Sequence, residues 1–288
     1  MKPNLTAAVV TILTLASPHR SAWADSRELE SELKADYVGK VVTLRHFYHG
    51  DNLKFHSDGS LAADATEGPW TVDGQIAVEK IQLHGGLLEI KGRRIYLIFD
   101  SKSKPQDTLM ILDSYNGKDR KNMEKLLRQS AVKIEVELLS TTPASDEVTS
   151  ALHAVFAVPG ESLMGVVPDY WRKYFAELEG RPDNSSKPTE TLYYVRPGNG
   201  VSAPHLTFDP EPEYSEAARK LKYQGTVVLS LVLDPAGTAR DLQITKAVGL
   251  GLDERAIDAV RTWKFAPATK DGVAVPVALS VQVNFRLY

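Results

Sequence analysis

From residue 275 to the end of the chain, apolar and polar residues alternate with almost no break. Val275, Val277, Leu279, Val281, Val283, Phe285 and Leu287 share one parity, and Pro276, Ala278, Ser280, Gln282, Asn284, Arg286 and Tyr288 the other. A period of two over this length predicts a strand with one face packed and one face in water. Upstream, Leu252, Ala256, Val260 and Trp263 recur at helical spacing. Asp253 is expected to cap this helix, Leu252 and Ile257 to staple its start, and Pro267 to stop it. Glu213–Lys222 predicts another helix, with Tyr214, Ala217, Ala218 and Leu221 inward, ending before Gly225. Between the helices lie two strands, one through Val227, Leu229, Leu231 and Leu233, the other from Ala239 to about Val248. Asp234-Pro235-Ala236-Gly237 turns one into the other, and Gly249-Leu250-Gly251 reads as a turn rather than a phosphate loop. The predicted order is αββαβ, a small α+β domain with a three-stranded antiparallel sheet.

The region from Asp25 to Gly180 carries a different rhythm. Asp25 and Glu28 have capping-box spacing, with Leu29, Leu33 and Tyr37 on one helical face. Short strand-like segments follow at residues 41–46, Leu53–His56, Gln75–Leu83, Leu87–Lys91 and Ile95–Asp100. Turn signals separate them at His49-Gly50-Asp51-Asn52, Asp58-Gly59, Asp73-Gly74, Gly85-Gly86 and Lys91-Gly92, which predicts an antiparallel meander. A charged helix near Asp119–Gln129, a strand at Val132–Leu139 and two helices, Asp146–Val155 and Pro168–Leu178, complete it. The last carries an aromatic stripe of Tyr170, Trp171, Tyr174 and Phe175. The expected fold class is α+β throughout: a mainly antiparallel β domain with flanking helices, then the small αββαβ domain.

One combination of residues resembles a known family. Leu252-Asp253, Trp263-Lys264-Phe265-Ala266-Pro267-Ala268, Gly272, the Pro212–Arg219 stretch, Gly225 and Asp234–Gly237 together look like the C-terminal domain of TonB energy transducers. The resemblance covers roughly Val195 to Tyr288. It implies a protein that grips a short extended segment of an outer-membrane receptor by strand addition, in energy-coupled transport across the outer membrane. The partner-binding residues it points to are Pro212, Tyr214, Val277, Leu279, Val281, Val283 and Phe285. Proline at Val281 or Val283 is expected to abolish such binding by removing a ladder donor. The family pattern has proline after the tyrosine, where this chain has Ser215. Inner-membrane motor proteins are the further partners the family implies, and the same edge could pair in a homodimer.

The start of the chain bears on location. Lys2 is followed by an apolar run from Leu5 to Ala16, a Ser17-Pro18 break, and Ala22-Trp23-Ala24. This is the layout of a secretory leader with cleavage expected after Ala24. The apolar run spans about 18 Å as a helix, short of a roughly 30 Å hydrocarbon core. The expected location is the periplasm; an uncleaved leader would instead tether the chain to the inner membrane. The expected domains are 1–24 leader, 25–180 β-rich domain, 181–194 linker and 195–288 TonB-like domain. Pro182, Pro188, Pro197, Pro204, Pro210 and Pro212 crowd the join.

The 288 residues are 43% apolar and 25% charged with a formal net charge of −3, a globular composition without the basic excess of a nucleic-acid partner. There is no cysteine, which removes disulfides, thiol catalysis and thiolate metal sites. His46, His49 and His56 lie near one another but lack a carboxylate partner pattern, and read as surface or turn histidines. Arg93-Arg94 reads as a solvated hairpin tip, and Asp64, Glu67 and Asp73 show no acid/base spacing. No catalytic residue, metal or cofactor is expected. The alternative to receptor binding is an envelope ligand-binding or scaffolding protein whose TonB-like domain serves docking or dimerisation without energy transduction.

Overall fold

The computed structural model describes residues 26–100, 102, 104–108, 112–181, 192–193 and 199–287. The expected leader, its cleavage site, the Asp25 cap and most of the expected linker lie outside these residues. In the first half, α1 (Ser26–Tyr37), β1 (Val41–Thr43), β2 (Asn52–His56), α2 (Trp70–Asp73), β3 (Gln75–His84), β4 (Leu87–Ile95), β5 (Leu97–Phe99) and β6 (Pro105–Asp107) are followed by α3 (Gly117–Arg128), β7 (Ala131–Glu137), α4 (Ser145–Val155) and α5 (Asp169–Leu178). In the second come β8 (His205–Phe208), α6 (Glu216–Leu221), β9 (Gly225–Leu233), β10 (Ala239–Lys246), α7 (Leu252–Thr262), β11 (Lys264–Ala266), β12 (Thr269–Lys270), β13 (Val273–Ala274) and β14 (Val277–Phe285).

The first half is built on a five-stranded sheet of order β1-β3-β4-β7-β2. Its pairings are antiparallel except β2 with β7, which run parallel, so the expected simple meander is corrected at that edge. The inward positions of β3, β4 and β7 (Ile76, Val78, Ile81, Leu88, Ile90, Ile134 and Val136) pack against Leu29 and Leu33 of α1 and Val148, Leu152 and Val155 of α4.

Two expected turns are corrected. Asp73-Gly74 closes the one-turn helix α2, with Gly74 as its cap. Lys91-Gly92 lies inside β4, not between strands, because a Cβ at Gly92 would stand 2.2 Å from the Ala77 carbonyl across the ladder. That correction moves Arg94 indoors. It is a buried strand residue, with Nη1 3.0 Å from Asp73 Oδ1, and it donates to the backbone carbonyls of Asp73, Tyr48 and Gly50. The expected solvated tip is thus a buried ion pair in which Nη1 and Nη2 also donate to carbonyls, as a charge inside a protein requires. Arg93, one residue away, points out and pairs with Glu79.

The second half has the predicted αββαβ order and a three-stranded antiparallel sheet, β10-β9-β14. Val227, Leu229, Leu231, Leu233, Val277, Val283 and Phe285 form its buried face under Ala256, Ile257 and Val260 of α7. Two small ribbons, β8 with β11 and β12 with β13, flank it. Their contacts extend beyond this half: a single apolar cluster runs from Trp70, Phe99, Trp171 and Phe175 through Leu250 and Leu252 to the β9 and β14 face. The two halves therefore share a core.

Candidate functional site

The sheet of the second half has two edges, and they differ. On one side α5 of the first half lies against β10, where Gln243 Oε1 accepts from Lys173 N–H at 3.2 Å. On the other, β14 pairs with β9 over its whole length without a register shift. In an antiparallel pair alternate residues aim both backbone groups at the partner, and those between aim both outward. Ala278 N–H donates outward to Tyr193 O, which sets the parity: Ala278, Ser280, Gln282 and Asn284 face away from β9. Ser280, Gln282 and Asn284 are exposed, and no backbone partner reaches them among the described residues.

The sequence-predicted partner residues are placed by the same parity. Val277, Val281, Val283 and Phe285 are buried and Leu279 is half-buried, all on the core face, with their N–H groups directed to β9. They build the edge rather than present their side chains from it. Proline at Val281 or Val283 would break the internal ladder, so the outward donors are the positions to alter. Tyr214 stands edge-on to Phe285, with ring centroids 5.5 Å apart. Its hydroxyl is enclosed without a hydrogen-bond partner, and burial raises its pKa. Pro212 is half-exposed two residues before it. Ser215, where the family pattern has proline, caps α6 by accepting from Ala218 N–H at 3.1 Å and donates its hydroxyl proton to Leu250 O.

The helix α7 does more than support the sheet. Gly251 occupies its cap position, and the expected capping carboxylate of Asp253 turns backward instead, accepting from Val248 N–H at 2.8 Å and Gly249 N–H at 2.6 Å. Glu254 reaches into the first half. It accepts from Thr71 Oγ1 at 2.9 Å, Thr71 N–H at 3.2 Å and Trp171 Nε1 at 3.3 Å, while Gly251 N–H donates to Thr71 Oγ1 at 2.8 Å. Backbone bonds from Phe99 N–H to Val248 O and from Leu250 N–H to Leu97 O join strand β5 to the same loop. Asp253 and Glu254 are both buried, and burial raises both pKa values, with the neighbouring carboxylate adding to the rise at Asp253. Sequence reasoning missed this joint; the only signal was a glycine-rich turn directly before an acidic first turn.

The aromatic stripe of α5 is filled rather than open. Trp171 is fully buried, stacks on Phe99 at 5.4 Å and meets Trp70 edge-on at 5.5 Å. Tyr170 lies under Arg261 of α7 at 5.8 Å. The three histidines do not converge. His46 stacks on Tyr48, His49 Nδ1 is 3.2 Å from buried Asp73, and His56 is 3.3 Å from Glu137. Among the described residues no group of three His, Asp or Glu could hold a metal ion, and no helix is long and apolar enough to cross a membrane.

Residues 210–287 match the family model described as Gram-negative bacterial TonB protein C-terminal. Protein TonB of Vibrio cholerae is 35% identical over 78 residues, 27% of this chain and 32% of that protein. Protein tonB2 of Pseudomonas aeruginosa is 34% identical over 80 residues, 27% of this chain and 30% of that protein. The chain thus spans about a third of the length of the curated relatives it matches. The solution NMR structure of the Pseudomonas aeruginosa TonB CTD covers 34% of this chain and 96% of its own, at 16% identity and a TM-score of 0.25. A score that low adds no argument about the fold. The TonB-like domain is therefore placed by sequence, at the residues that build β14 and its supports.

Proposed function

We propose that this protein works in the periplasm as a TonB-type binding protein, adding an extended segment of an outer-membrane TonB-dependent receptor as a strand to the β14 edge during energy-coupled transport. The observation that carries the reading is the outward backbone of Ser280, Gln282 and Asn284, without a partner among the described residues, in the unit that matches the TonB C-terminal family. Such an edge is a template for strand addition, because affinity comes from main-chain bonds. Coupling to inner-membrane motor proteins belongs to this reading as its source of force. The core shared by the two halves favours a second reading, in which the first half is a fixed body that the TonB-like unit docks to the envelope without transmitting force.

The test uses Gln282→Pro in the full chain. Proline here removes an outward donor and leaves the β9 ladder intact, the one setting in which a strand tolerates it. The binding partner is a set of fluorescein-labelled peptides from short extended segments of outer-membrane TonB-dependent receptors of the same organism. The expected result is loss of binding by tenfold or more with an unchanged thermal midpoint. A folded Gln282→Pro variant that binds as the parent does would sink the strand-addition reading. A concentration-dependent dimer abolished by the same substitution, with no peptide bound, would assign the edge to self-pairing.

A further inference from the structure

The outer edge of β14 is already occupied at its start. Tyr193 donates its N–H to Pro276 O at 3.0 Å, and its carbonyl accepts from Ala278 N–H at 3.2 Å. This is the bonding of a parallel strand opposite Val277. The Tyr193 ring packs half-buried against the core cluster, and Lys270 Nζ stands 5.1 Å from its centroid. Lys270 is held in that place at the end of β12 by the tight turn through Asp271 and Gly272, both left-handed with φ of 52° and 79°, and by the bridge from Val201. Tyr193 is thus fixed by two backbone bonds, an apolar contact and a cation over its ring.

We propose that Leu192–Tyr193 is a built-in competitor for the docking edge, so that an incoming strand gains the Pro276 and Ala278 positions only by displacing the chain's own backbone. The proposal rests on the reading of β14 as the docking edge. An incoming strand makes the same two backbone bonds that Tyr193 gives up, so these nearly cancel. What remains against the newcomer is the ring contact and the attachment of the competitor to the same chain, which raises its effective concentration. A partner must therefore extend along Ser280, Gln282 and Asn284, where no self-pairing opposes it among the described residues. Partners too short to pair there would be excluded, which makes the occupied start a filter for segment length.

The test compares the full chain with Tyr193→Gly, which removes the ring contacts, and Tyr193→Pro, which removes the donor to Pro276 O. Gln282→Pro serves as the edge control, and the probes are the labelled receptor peptides named above. Tyr193→Gly is expected to bind about threefold more tightly, the scale of one ring contact, and Tyr193→Pro about tenfold, the ring contact together with one net hydrogen bond. Without peptide, exchange of the Ala278 amide hydrogen is expected to quicken in both. Equal or weaker peptide affinity in the Tyr193 variants, with Gln282→Pro still abolishing binding, overturns the competitor and leaves the docking edge standing. Slow Ala278 exchange in both variants also overturns it. Peptide binding that is indifferent to Gln282→Pro overturns the docking edge itself, and the competitor with it.

Discussion

Glu254 is the residue through which the two halves depend on each other. It is buried, its three donors all come from the first half, and no cation pairs with it among the described residues. Burial raises its pKa and that of adjacent Asp253, so the folded chain keeps a proton that the unfolded chain has already released. A folded-state carboxylate pKa above its unfolded value makes stability highest on the acid side, and stability falls as pH rises from about 4.5. Glu254→Gln can keep the bonds to Thr71 N–H and Trp171 Nε1 and donate to Thr71 Oγ1. It is expected to flatten that fall and to match or exceed the parent at pH 8, read by urea unfolding at pH 5 and pH 8. Glu254→Leu leaves buried donors bare and is expected to cost about 1–3 kcal/mol for each. A parent stability that does not fall between the two pH values would refute the ionisation argument. None of this was legible in the sequence, because an acidic residue in a first helical turn ordinarily faces water, and its partner Thr71 lies 183 positions away. Arg94 was hidden for a related reason. Gly92 read as a turn, when its missing side chain admits the Ala77 carbonyl and lets β4 run on to bury the arginine.

Elements were legible where one period ran long enough. The alternation through β14 and the 3.6-residue spacing of α7 gave both elements and their buried faces, and the αββαβ order followed. Which backbone groups of β14 point outward was not legible, because parity along an edge is fixed by the partner strand and not by side-chain alternation. The parallel pairing of β2 with β7 was hidden likewise, since about 80 residues separate them and neither carries a mark of direction. The Gly249-Leu250-Gly251 turn shows how much of an element's role is tertiary. Its φ values of 97°, 55° and 79° are all left-handed, and a Cβ on Gly249 would stand 2.2 Å from Leu97 O. Gly249→Ala therefore meets both backbone strain and a backbone clash, and is expected to destabilise by about 2–4 kcal/mol. Gly272→Ala is the control. Its φ of 79° is also left-handed, but nothing lies within 4 Å of the added Cβ, so about 1 kcal/mol is expected from conformation alone. Thermal midpoints of the two variants rank these costs, and equal shifts would mean that the approach of Gly249 to β5 carries no weight.

At the scale of the molecule, the chain does not divide its apolar core where its sequence divides its patterns. Val248 and Leu250 belong to the TonB-like half, yet they are buried against Leu97, Ile98 and Phe99, whose strand belongs to the other half. Trp70 and Trp171 are the corresponding residues on the far side, closed over by α7. A core held in common couples the two unfolding equilibria, since opening either half exposes apolar surface on both. The full chain is therefore expected to unfold in one transition. Tryptophan fluorescence of a variant carrying Trp23→Phe and Trp263→Phe reports on Trp70 and Trp171 in the first half. Hydrogen exchange of the Leu229 and Leu231 amides reports on the β9 strand of the second. If the core is shared, the unfolding free energy from the urea transition of the first and the free energy of opening from the second agree, and Gly249→Ala lowers both together. If β9 instead opens more easily in Gly249→Ala while the tryptophan transition keeps the parent's free energy, the halves are separate folding units pressed together. The TonB-like unit would then be free to act on a receptor apart from the body it is packed against.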